Sequence, residues 1–79
     1  MTAVQATAAQ ALVTYRKANG LTQKMLGDML DVTQVTVARW ETGSNIADKL
    51  LPRVSDRTGI SRAILRPDLA RLLNEGAAS

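Results

Sequence analysis

The chain contains no cysteine and no histidine. The first absence excludes a disulfide scaffold, a thiolate zinc site and a cysteine nucleophile. The second removes Ser-His catalysis, histidine metal sites and the usual general base near neutral pH. Aromatic residues are limited to Tyr15 and Trp40, 3% of the sequence, too few for a stacking platform that grips single-stranded nucleic acid. No apolar run approaches the roughly 20 residues a membrane span requires. The N-terminus lacks a basic cluster ahead of an apolar stretch and does not read as a signal peptide. Seven carboxylates are scattered without a motif and five glycines stand isolated, so neither an acid–base pair nor a phosphate loop is present. An enzyme therefore has no chemistry to stand on. The expectation is a cytoplasmic protein that works by binding, with no cofactor, no metal and no small-molecule effector.

What is present reads as one small domain over residues 1–79, with no room for a second core. Hydrophobic residues make up 46% and charged residues 22%, a globular balance rather than a disordered one. Ten Lys and Arg against seven Asp and Glu give a net charge of +3 and a pI near 10.0. That suits a small domain touching a polyanion and proves nothing alone.

The periodicity is helical throughout, and the expected class is all-α, a small bundle of about five short helices. Ala8, Leu12 and Tyr15 share one face of a first helix over about residues 4–19, stopped at Asn19-Gly20. The first few residues read equally well as a disordered arm, and the chain is expected to fray again at 75–79. Thr22 is positioned as an N-cap for a short helix to about Leu30 that carries Leu26 and Leu30 on one face. Asp31-Val32 makes a turn, and Thr33 caps another helix through about Glu41. After the turn formers Thr42-Gly43-Ser44-Asn45, Asn45 is the candidate cap of a fourth helix over about residues 46–57, with Ile46, Leu50 and Val54 at i, i+4, i+8. Ser61 opens a short fifth helix to Leu65, and Pro67 breaks it because proline disfavours a helical Arg66.

Two short helices joined by a tight turn and followed by a glycine-marked loop have the layout of a helix-turn-helix, here at residues 22–41. The spacing tests this. Helices crossing near a right angle need a small residue at their contact, and Gly27 supplies it. A left-handed turn residue must be Gly, Asn or Asp, and Asp31 stands four positions later. Val32 is placed to be buried after the turn, and Val37 and Trp40 to anchor the second helix.

The run from Arg16 through Gly20-Leu21-Thr22-Gln23, with Leu26-Gly27 and Val37-Ala38-Arg39-Trp40-Glu41-Thr42-Gly43, closely resembles the Cro/CI-type helix-turn-helix of phage repressors. The resemblance implies a lambda-repressor-like domain. A weaker likeness through Thr58-Gly59-Ile60-Ser61-Arg62 and Leu65-Arg66-Pro67-Asp68-Leu69 is similar to the YdaS-type group of Cro-like regulators and antitoxins. Two departures are Asp31 where the turn usually has Gly, and Gly27 where the small residue is often Ala. The second costs about 1 kcal/mol of helix propensity.

A recognition helix enters the major groove by its N-terminal half and presents the residues not used to anchor it. With Val32, Val37 and Trp40 inward, Gln34, Val35, Thr36 and Arg39 face outward. Gln34 can pair with an adenine edge, Arg39 with guanine O6 and N7, and the Val35 methyls suit a thymine methyl. The resemblance points to the same three as base readers and places Gln23 on a phosphate. Thr22, Thr33 and Thr36 carry hydroxyls able to reach phosphates, though the first two are caps first. The family pattern also links Arg16 to Glu41 as a structural ion pair.

Residues 21–43 carry −1, Lys24 and Arg39 being outweighed by Asp28, Asp31 and Glu41, so phosphate attraction must come from flanking Arg16, Lys17, Lys49, Arg53 and Arg57, or from backbone amides at helix N-termini. Lys49, Arg53 and Arg57 form a stripe at i, i+4, i+8 along the expected fourth helix that is alternatively a plain solvated face. Leu69, Leu72 and Leu73 either fold back onto the domain or form a homodimer contact. The expected function is a sequence-specific regulator of double-stranded DNA, most simply a Cro-like repressor in a bacterial, nucleoid-associated setting. The competing reading is an antitoxin or antirepressor whose main partner is a protein.

Overall fold

The computed structural model describes residues 7–69. Five α-helices and one 3-10 turn follow one another in that stretch, with no strand among the described residues: α1 (Ala8–Ala18), α2 (Gln23–Leu30), α3 (Gln34–Glu41), the 3-10 turn (Asp48–Leu50), α4 (Leu51–Thr58) and α5 (Arg62–Leu65), after which residues 67–69 are again helical. None of these helices is long and apolar enough to cross a membrane.

The first helix begins at Ala8, four residues later than the periodicity suggests, because Thr7 closes a capping box with Gln10. The Thr7 hydroxyl accepts the Gln10 amide at 3.1 Å, while the Gln10 side chain accepts the Thr7 amide at 3.3 Å. Two orphan N–H groups are thereby satisfied at once. The expected starting residues 4–6 lie outside the described residues.

The second and third helices run over the spans their caps announce. Thr22 and Thr33 both take extended backbone and accept the amide three residues on, from Met25 at 3.0 Å and Thr36 at 3.1 Å. Asp31 is left-handed, at φ 63° and ψ 38°, and among the described residues is the lone non-glycine with positive φ.

The fourth segment departs from expectation. Residues 46 and 47 are not helical, Asp48–Leu50 is a 3-10 turn, and α4 begins only at Leu51 with Pro52 in its first turn. Proline has no N–H to give an earlier turn and is tolerated in a first turn, so a helix running unbroken through it is disfavoured. Asn45 caps nothing: the residue ahead of the 3-10 turn is Ala47, and no side chain caps it. Ile46 and Val54 are still buried and Leu50 packs against the core, joined by Leu51.

Leu12, Leu26, Leu30, Val37, Trp40, Ile46, Leu51, Val54 and Leu65 form the core, drawn from all five α-helices and the loop after α3. Each fully buried aliphatic side chain of this size contributes about 1.5–3 kcal/mol relative to exposure. Val32 is half-buried at the margin of this core rather than inside it. Leu69 also packs on the core of its own chain; Leu72 and Leu73 lie outside the described residues.

Arg66 fastens the far end. Its guanidinium forms a two-pronged contact with Asp68 at 3.0 and 2.9 Å, and its remaining arm donates to the Ile46 carbonyl at 2.6 Å and to Asp48. Asp68 and then Asp48 hold the Arg66 guanidinium above its usual pKa, and Arg66 holds the Asp68 carboxyl below the ordinary carboxylate range.

Candidate nucleic-acid interface

The helix pair α2–α3 is seated by backbone contact. A Cβ on Gly27 would come within 2.8 Å of the Val32 carbonyl oxygen and 3.2 Å of the Thr33 carbonyl carbon. The Val32 amide donates to the Gly27 carbonyl at 2.9 Å. The turn therefore lies directly on the missing side chain, and an alanine here would require the backbone of Val32 and Thr33 to shift.

Once α3 is seated, its faces divide. Val37 and Trp40 are buried at 0% and 4% exposure. Gln34, Val35 and Arg39 are exposed, Val35 at 59%, and the Arg39 side chain has no partner among the described residues. Thr36 is half-buried, its hydroxyl 3.0 Å from that of Thr33. The C-terminal end of α3 is closed by Thr42, whose hydroxyl donates to the Arg39 carbonyl at 2.9 Å, and by the Ser44 amide, which donates to the same oxygen at 2.9 Å. The first amides of α2 and α3, at Gln23–Lys24 and Gln34–Val35, have no intrahelical acceptor, as at any helix start. Such ends favour anions.

Behind this surface lies a polar cluster. Arg16 grips Glu41 with Nε to Oε2 at 2.8 Å and Nη2 to Oε1 at 3.0 Å, and its Nη1 donates to the Leu21 carbonyl at 3.2 Å. The side chains are 17% and 7% exposed, so this is a largely buried pair rather than a surface one. Gln23 adds a third donor, its Nε2 standing 3.1 Å from Glu41 Oε1. The hydrogen bond from Arg16 holds the Glu41 carboxyl below its ordinary range, against an opposing cost of burial and with further help from Gln23. Glu41 in turn raises the Arg16 guanidinium. The cluster joins α1, the start of α2 and the end of α3, which sequence spacing alone did not connect through Gln23.

The basic flank is smaller than its composition suggests. Arg57 Nη1 donates to the Met29 carbonyl at 2.7 Å and Arg53 Nη1 to the Leu30 carbonyl at 3.5 Å, so both arginines reach back from α4 to the C-terminal carbonyls of α2. Cations there complement the helix dipole. Lys49 stands outside α4, on the 3-10 turn, so the expected i, i+4, i+8 stripe does not form along one helix. Lys17, Lys49, Thr22 and Thr33 are exposed. Lys24 pairs with Asp28 at 3.2 Å. No group of three or more acidic residues among the described residues is placed to hold a metal ion.

The profile of the helix-turn-helix family matches residues 12–65, from the buried leucine of α1 to that of α5. No curated protein and no solved structure matches the chain significantly.

Proposed function

The chain belongs to the helix-turn-helix family, and from that membership we propose that it is a sequence-specific repressor of the Cro-like phage or prophage type, binding duplex DNA as a transcription regulator. The observation carrying this reading is the division of α3. Val37 and Trp40 anchor it, while Gln34, Val35 and Arg39 are left exposed together, two hydrogen-bonding side chains and one apolar one. That is the chemistry a major groove reads: Gln34 for adenine, Arg39 for guanine and Val35 for a thymine methyl, each good polar pair giving about 1–3 kcal/mol of discrimination. Gln23, Thr22, Thr33, Thr36, Lys17 and Lys49 contact the DNA backbone and set the register. One eight-residue helix reads only a few base pairs, so two copies bind half-sites one helical turn apart. Occupancy of the operator blocks a promoter, and control comes from the concentration of the protein itself, in the bacterial cytoplasm.

Selection of duplexes from a random pool at about 150 mM salt, where non-specific attraction is weak, tests the reading. An enriched inverted repeat is expected, with Gln34→Ala and Arg39→Ala each relaxing preference at one position of each half-site. No enrichment by the wild-type protein would refute it and turn attention to a protein partner.

A further inference from the structure

The cluster behind the interface carries an inference about how the DNA backbone is held, and it rests on the reading above. Gln23 is the first residue of α2, next to the unpaired amides of the helix start. Its side chain is an amide, whose oxygen and nitrogen ends are similar in shape and opposite in hydrogen-bonding sense. A free glutamine would offer a phosphate either end, and only the nitrogen end attracts it. Here the choice is made by Glu41. A carboxylate accepts and does not donate, so Nε2 must face it, at 3.1 Å. One N–H is then committed and the other remains for an anion.

Glu41 can do this only because Arg16 neutralises it. An unpaired carboxylate this close to the DNA backbone would repel phosphate and would carry the cost of its own burial. The two-pronged contact with Arg16, itself tied to the Leu21 carbonyl, fixes the carboxylate plane and leaves Oε1 shared between Arg16 and Gln23. The Glu41 side chain is only 7% exposed, so its effect on DNA passes through Gln23.

We propose that Glu41, held by Arg16, is a positioning residue for the DNA backbone: it orients the Gln23 amide so that its second N–H donates to a phosphate oxygen at the start of α2.

The test is a mutant cycle read by affinity for the duplex that the wild-type protein enriches from a random pool. Glu41→Ala alone would leave Arg16 largely buried without its counter-charge and risks the fold. The pair is therefore replaced together as Arg16→Met with Glu41→Leu, because an apolar pair of similar volume in place of a buried ion pair is often neutral or stabilising. Thermal melting verifies the fold. Gln23→Ala in the wild-type background is expected to weaken binding about 3- to 10-fold, the worth of one hydrogen bond. The apolar pair variant leaves the amide free to present either end, so it should bind more weakly than wild type but no more weakly than Gln23→Ala, and adding Gln23→Ala to it should cost a smaller factor than in the wild type. If the pair variant binds like wild type, or if Gln23→Ala costs the same factor in both backgrounds, Glu41 does not position Gln23. A wild-type protein that enriches no duplex would instead remove the DNA-binding reading itself, a separate failure visible before any variant is made.

Discussion

Replacing Gly27 by alanine sets two effects of known sign against each other. In a helix interior alanine is favoured over glycine by about 0.8–1.0 kcal/mol. Propensity alone would therefore raise the melting temperature by about 4–8 °C in a domain of this size. Against it stands the turn. The added Cβ would lie 2.8 Å from the Val32 oxygen and 3.2 and 3.3 Å from the Thr33 carbonyl carbon and oxygen, where even a close carbon–oxygen contact is about 3.3–3.6 Å. These are backbone atoms, and Val32 is already bonded to the Gly27 carbonyl, so no flexible side chain can swing aside. Relief requires the turn and the start of α3 to move by several tenths of an ångström. Overpacking of this kind costs about 1–3 kcal/mol. The clash therefore outweighs the propensity, and a net loss of about 1 kcal/mol is expected, seen as a melting temperature lower by about 4–8 °C in far-UV circular dichroism. Because the displaced segment carries Gln34 and Val35, DNA affinity should fall by more than the unfolded fraction accounts for. A Gly27→Ala protein that melts several degrees above wild type would refute the reasoning, showing that the turn yields freely.

The same logic gives Asp31→Gly the opposite sign. Asp31 combines a left-handed backbone with a negative charge at the C-terminal end of α2, and glycine relieves both, so the variant should be more stable by about 0.5–1.5 kcal/mol in urea denaturation. For Glu41, a carboxyl held below its unfolded value of 4.5 contributes stability that is complete above that pH and lost as pH falls through the folded value. Urea stability should accordingly decline below about pH 4.5 in the wild type. Glu41→Gln should start about 1–3 kcal/mol lower at pH 7, short of the full buried-pair penalty, and fall less steeply in acid. In salt titrations of DNA binding, Lys17→Ala and Lys49→Ala should each reduce the slope by about 0.9, the release of one counterion. Arg57→Ala should lower the melting temperature and leave the slope unchanged, since its guanidinium serves the Met29 carbonyl.

The parts legible in the sequence are those defined by local chemistry. The helices α2 and α3 are bracketed by Thr22, Asp31, Thr33 and the Thr42-Gly43 stop, and each acts on neighbours within four residues. The segment after Asn45 misled because Ile46, Leu50 and Val54 satisfy a helical period even though Pro52 allows α4 only its first turn there. Pro52 was the available signal. The Thr7–Gln10 capping box lies in a run rich in Ala, Thr and Gln where periodicity is weak. Other roles depend on tertiary approach and leave no local trace. The spacing of Arg53 and Arg57 looks the same whether they meet a phosphate or the end of α2. The small-residue rule finds Gly27, but only the 2.8 Å approach of a carbonyl distinguishes glycine from alanine. At the interface the outward set Gln34, Val35 and Arg39 follows from the helical period, whereas the bond from Gln23 to Glu41 spans 18 residues and joins two helices.

The fork of Arg66 bears on where this chain can be cut. The family profile stops at residue 65, and a fragment trimmed to that point would keep α1 to α5. It would nonetheless lose the side chain that bonds the Ile46 carbonyl and Asp48, twenty and eighteen residues back, and with it the anchor Arg66 takes on Asp68. The loop leaving α3 would then be held by the burial of Ile46 alone, without the polar tie of its carbonyl to Arg66. A fragment ending at Leu65 should therefore melt at a lower temperature than one reaching Asp68, which keeps the contacts Arg66 makes with Ile46, Asp48 and Asp68.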